Sequence, residues 1–188
     1  MARRVTDLFA PAWIVISLPL AVGALSSGWA GFGWGLLAAV LCGGIPAVVI
    51  FAGVKRGWFG DWHVRERQER PKLVAVIVAL VVLALTLLVV MGAPRVMVAC
   101  VAIMLATLAV VGPVTLAWKI SFHTAVAAGA VVMLAEVLPA VLVFVVGGLL
   151  VALIGWARVV IRDHTSGQAL AGAVAGAAAT AATLAALL

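Results

Sequence analysis

Three histidines and a set of arginines stand at spacings that suit phosphoryl chemistry, in three short polar clusters of an otherwise apolar chain. The first holds Asp61, His63, Arg65, Arg67 and Arg70. The second is Lys119-Ile-Ser-Phe-His123, and the third is Arg158-Val-Val-Ile-Arg-Asp-His164-Thr-Ser-Gly-Gln168. Arginine forks neutralise phosphoryl oxygens, one imidazole can attack phosphorus, and another can protonate the leaving oxygen. A phosphate ester is the ligand this combination fits.

Each cluster also has a plainer reading. Arg65, Arg67 and Arg70 alternate with Glu66 and Glu69, as a solvated, self-paired loop facing anionic headgroups would. His123 alone fits a satisfied interfacial histidine, and Arg158 and Arg162 alone fit snorkelling anchors. His164 stands beside Thr165 and Ser166, either of which can cap a helix and leave its amides near an anion.

The elements that must position these groups are membrane helices. Of 188 residues, 67% are hydrophobic and 10% charged, against roughly 45–50% and 25% in soluble domains. Mean hydropathy is +1.35. A water-soluble globule of this size could not hide that much apolar surface. A soluble enzyme, a disordered tail and a secreted disulfide scaffold are excluded. Cys42 and Cys100 both lie in apolar runs and read as small buried hydrophobes, without metal-ligand spacing. The net charge of +6 has no basic stripe interleaved with aromatics, so nucleic acid is not the expected partner. No cleavage site follows Met1-Ala-Arg-Arg, and the first apolar run is read as a span.

The expected fold is all-α, a polytopic transmembrane helix bundle forming a single domain over 1–188. A span needs about 20 apolar residues. Seven stretches qualify or nearly qualify: 9–29, 33–54, 73–92, 96–117, 121–138, 139–160 and 168–188. Gly and Trp between Gly28 and Gly35, Gly92-Ala93-Pro94-Arg95, and Glu136 with Pro139 mark the breaks. The one long polar segment is 55–72. Gly172 and Gly176 form a small-xxx-small pair, read either as packing within the bundle or as a face for a homo-oligomer.

Seven spans place 55–72, 118–121, 158–167 and the N-terminus on one side, called side X. Eleven of the twelve Lys and Arg then fall on X, Arg95 being the exception, together with His63, His123 and His164. Trp58, Trp62, Trp118 and Trp156 fall there too, as an interfacial belt would.

The spacing and order of the three clusters resemble the type-2 phosphatidic acid phosphatase family, membrane phosphatases related in fold to vanadium haloperoxidases. The family's signatures are KxxxxxxRP, PSGH and SRxxxxxHxxxD. The first aligns on His63-x6-Arg70-Pro71, with histidine for lysine. The second aligns on Ile120-Ser121-Phe122-His123, without the proline and glycine. The third aligns on Ala157-Arg158-x5-His164-x3-Gln168, with alanine for serine and glutamine for aspartate. The resemblance covers 55–188.

It implies that His164 is the nucleophile of a phosphohistidine intermediate and His123 the general acid. Arg70 and Arg158 would clamp the phosphoryl oxygens, assisted by Ser121, with His63, Arg67 and Lys119 in the same phosphate-binding group. Gln168, replacing the family's aspartate, or Asp163 or Asp61 would orient His164. No metal or other cofactor is implied, because the arginines supply the positive charge. The implied activity is a lipid phosphate phosphatase acting on phosphatidic acid, phosphatidylglycerol phosphate, or a polyprenyl phosphate or diphosphate.

The positive-inside rule makes side X cytoplasmic. A composition rich in Ala, Val, Gly and Arg suits a GC-rich bacterial genome, hence a bacterial inner membrane. Two other function classes fit parts of the chain. A small transporter would use Glu136 and the helix prolines around a midplane site. A non-catalytic scaffold would bind anionic lipid through 55–72.

Overall fold

The computed structural model describes residues 1–56 and 70–188, with only the backbone of 70–73 and 116. Every regular element among them is helical. The order is α1 (Ala2–Leu8), α2 (Pro11–Ala39), a π-helical turn (Val40–Gly44), α3 (Ile45–Lys55), α4 (Arg70–Val90), α5 (Arg95–Ala117), α6 (Phe122–Leu134), α7 (Ala140–Val160) and α8 (Ser166–Leu187).

Among the described residues, four helical stretches are long and apolar enough to cross a bilayer: Pro11–Lys55, Arg95–Thr115, Ala140–Val160 and Ser166–Leu187. The first is bent. Ser27 and Gly28 leave helical geometry, and Gly28 takes φ +59° and ψ −139°, a conformation open chiefly to glycine. The limbs 11–26 and 29–39 then fold back on one another. A Cβ on Gly23 would strike the Gly31 carbonyl, and one on Gly35 would strike that of Pro19. The reversal falls at the start of the expected 28–35 turn, because Trp29 and its successors are already helical.

Proline and glycine account for the other breaks. Pro46 has no N–H to give Cys42, and the chain opens into the π turn just before it. Helix α4 ends with Gly92 at φ +75°, the Ala93 amide donating to the Leu88 carbonyl at 2.9 Å, and Pro94 follows. Helix α7 ends in the same manner, but with Arg162 at φ +61° in the place usually held by glycine. There the Asp163 amide donates to the Arg158 carbonyl at 3.1 Å.

Helix α6 lies at the centre, packed by α2, α5, α7 and α8. It is buried along Thr124, Ala125, Ala128, Gly129 and Met133. With 13 residues it rises about 20 Å, short of a hydrocarbon core of about 30 Å. The expected 121–138 span is therefore a shorter helix followed by a turn carrying Glu136. Apolar side chains also cover the outside, as Val141, Leu142, Val145 and Leu149 of α7 do. A lipid-facing surface has this character, since hydrocarbon gives no reason to segregate apolar groups inward.

The α6–α8 contact is the most extensive between two helices. A Cβ on Gly172 would meet the Ser121 carbonyl, and one on Gly176 would meet that of Ala125. Of the two readings of this pair, packing within the bundle is the one observed. The face that a partner helix would use is taken by α6.

Candidate functional site

The second and third polar clusters meet at one end of the α6–α8 pair. Helix α5 ends at Trp118, where the backbone turns extended, and three residues later Ser121 caps α6. The Ser121 hydroxyl accepts from the Thr124 amide at 3.4 Å. Its own amide donates to the Gln168 carbonyl at 3.2 Å. The Thr124 hydroxyl donates to the Ala169 carbonyl at 2.8 Å, tying the first turn of α6 to the first turn of α8. Residues 119–121 are thereby strapped across the start of α8.

His164 sits just before that start. Its Nδ1 is 3.0 Å from the Lys119 carbonyl oxygen. A carbonyl only accepts, so the shared proton belongs to Nδ1, and in the neutral ring the lone pair is on Nε2. Burial pushes the His164 pKa below its usual value. The Lys119 carbonyl acts against this, the positive charges of Arg158 and Lys119 add to it, and a hydrogen bond with the Gln168 side chain opposes it. The net effect is a neutral imidazole at pH 7.

The next residues build the α8 N-terminus. The Thr165 hydroxyl accepts from the Gln168 amide at 3.2 Å, and Gln168 Oε1 accepts from the Thr165 amide at 3.0 Å. This reciprocal capping box has the T-x-x-Q signature visible in the sequence. It holds Gln168 beside the imidazole while spending its carbonyl oxygen on the backbone.

Arg158 reaches the same loop from the last turn of α7. Its Nη1 lies 3.0 Å from Asp163 Oδ2, and its side chain is 12% exposed. Its Nε is buried with no hydrogen-bond partner among the described residues. Asp163 thus serves Arg158, and the Lys119 carbonyl takes the place expected of an orienting acid. That partner is backbone and carries no residue signature.

Other expected site residues are placed as follows. Ser121 is fully buried and its hydroxyl is occupied as the α6 cap, so the expected phosphate contact is replaced by a structural role. Lys119 is exposed, and its ammonium acts on His164 electrostatically. His123 lies half-buried in the first turn of α6. Phe122 turns inward against the cluster of Val111, Ile120 and Ala125. Arg70 opens α4 as a backbone position, and Asp61, His63 and Arg67 lie outside the described residues. Thr124 joins the site although it belongs to none of the three polar clusters. Its signal is a hydroxyl three residues after a capping serine, facing the glycine of a neighbouring helix.

No group of three His, Cys, Asp or Glu side chains able to hold a metal ion occurs among the described residues. Trp118 and Trp156 are exposed at this same end. Compared with protein-family models, curated proteins and solved structures, the chain matches none.

Proposed function

We propose that this chain is a membrane-embedded phosphatase of lipid phosphates that works through a phosphohistidine, with no metal required. One observation carries the reading: His164 Nδ1 lies 3.0 Å from the Lys119 carbonyl oxygen, so the neutral imidazole keeps its lone pair on Nε2, in the field of Arg158. In the reaction, Nε2 attacks phosphorus and the bond to the leaving oxygen breaks. His123 gives that oxygen a proton. Water then attacks the phosphohistidine, surrendering a proton to His123, and inorganic phosphate leaves. Arg158 neutralises the phosphoryl oxygens once they draw it from Asp163, and Lys119 adds charge at the rim. Arg70, His63 and Arg67 belong to the same anion-binding group in this reading.

The chain is read as crossing the bilayer seven times, counting both limbs of the bent first stretch, α4 and the short α6. The site then lies at headgroup level on the cytoplasmic side of a bacterial inner membrane. A phosphomonoester or diphosphate of a lipid reaches such a level with its chains still in hydrocarbon.

Phosphate release by the detergent-solubilised protein tests the proposal. The substrates are phosphatidic acid, phosphatidylglycerol phosphate and a polyprenyl diphosphate, each with chelator present. Chelator-resistant release that disappears in His164→Ala is expected. Equal inertness of the folded wild type and variant across the panel overturns it in favour of the lipid-binding scaffold.

A further inference from the structure

An apolar groove of about 260 Å³ runs between the first limb of α2, α6 and α7. Its α7 wall is Gly147, Leu150, Val151 and Ile154, one face at helical spacing. One turn further on that face stands Arg158. Its α6 wall includes Ala127, Val131 and Leu134. One turn before Ala127 stands His123. Both walls, extended toward the same end of the bundle, therefore arrive at groups of the proposed site. Phe9 closes that end, just after α1, which packs on α7. Thr6, three residues before Phe9, is buried with its hydroxyl unpartnered among the described residues, as is Arg158 Nε. Beyond the lining of the trough, toward that end, the same helix faces carry a cation, and two buried donors there are without hydrogen bonds among the described residues.

The geometry points to this groove as the seat of one hydrocarbon chain of an anionic, phosphate-bearing lipid, with its headgroup held between Arg158 and His123. The inference rests on the lipid phosphatase reading for its headgroup and names where the substrate's chain lies. A bulk lipid would have no reason to prefer this trough over the equally apolar outer face of α7. An anionic headgroup supplies the reason, because it satisfies the Arg158 guanidinium while the chain enters alongside. The small side chains at Gly147 and Ala127 make the trough. A Cβ on Gly147 would collide with Val131, so the glycine lets α7 close on α6 beside the trough.

The test uses the full chain in phosphatidylcholine nanodiscs. The probe is a non-hydrolysable phosphonate analogue of phosphatidic acid with a photoactivatable diazirine in its acyl chain. Crosslinks read by mass spectrometry are expected within 11–26 and on the groove faces of α6 and α7. Unlabelled phosphonate should compete, and phosphatidylcholine should not. Ser17, an exposed lining residue of α2, gives the filling variant. Ser17→Trp should lower labelling about tenfold, as expected when two or so methylenes lose their seat. Val145→Trp on the outer face should leave it unchanged. Equal labelling by a phosphatidylcholine probe, or labels spread over Val141, Leu142 and Leu149, overturns the inference, and the wild-type competition decides it even if Ser17→Trp fails to fold. Phosphate release without selective labelling removes the groove alone. Selective labelling without phosphate release removes the phosphatase reading alone.

Discussion

His164 Nδ1 lies 3.0 Å from the carbonyl oxygen of Lys119, 45 residues earlier in the chain. The contact fixes the tautomer and the ring direction of a histidine that feels the charge of Arg158. A carbonyl oxygen bears only a partial negative charge. It orients the ring but supports an imidazolium less well than a carboxylate would, and burial and two neighbouring cations dominate.

The first consequence is a pH dependence. The folded His164 pKa lies below the usual 6.5, so folding favours the neutral ring. This contribution to stability is fully present above 6.5 and is lost as the pH falls through the folded value. Activity should follow the same limb, with kcat/KM falling on the acid side below 6.5. Lys119→Gln keeps the carbonyl and removes the ammonium, so it should raise the His164 pKa. NMR titration of the histidine ring checks this, and a value unchanged or lowered in Lys119→Gln would count against the placement of the ammonium.

Asp163 competes with any bound anion for Arg158. Asp163→Asn should tighten inhibition by inorganic phosphate severalfold, because the guanidinium no longer has a built-in partner. Inhibition constants for the two proteins decide the matter. Weaker inhibition in the variant would mean that Asp163 holds Arg158 in its binding position instead.

The α6–α8 contact sets a steric prediction. Gly172→Leu places a side chain against the Ser121 carbonyl and the Thr124 hydroxyl, forcing the helices apart and breaking the strap that presents Lys119 to His164. A loss of about 1–3 kcal/mol or more is expected. Gly148→Ala on α7 meets open space, so the better helix former should gain about 0.5–1 kcal/mol. Thermal unfolding in detergent compares the two directly. Equal effects would show that α6 and α8 are not in close contact.

Much of the helix layout was legible from hydropathy and punctuation. Gly92-Ala93-Pro94 ends α4 and starts α5 because glycine adopts positive φ and proline tolerates a helix start. A cap at Thr165 or Ser166 was legible, and the structure uses Thr165, with Gln168 closing a capping box. Length was less legible at α6, since apolar residues continue to Leu138 although the helix stops at Leu134. Hydropathy records the surroundings of a residue and says little about where backbone hydrogen bonding ends.

By itself the amino-acid sequence determined that the chain is a set of apolar helices and that its polar residues gather in short clusters, His123, Arg158 and His164 among them. Composition and side-chain type are local properties, readable one residue at a time. Only the tertiary structure decided which acceptor holds His164, that Ser121 is sealed as a cap, that Asp163 belongs to Arg158, and that the glycines of α8 face α6. The first and last of those relationships join residues about 50 apart in the chain, and both run through backbone oxygens that every residue type possesses.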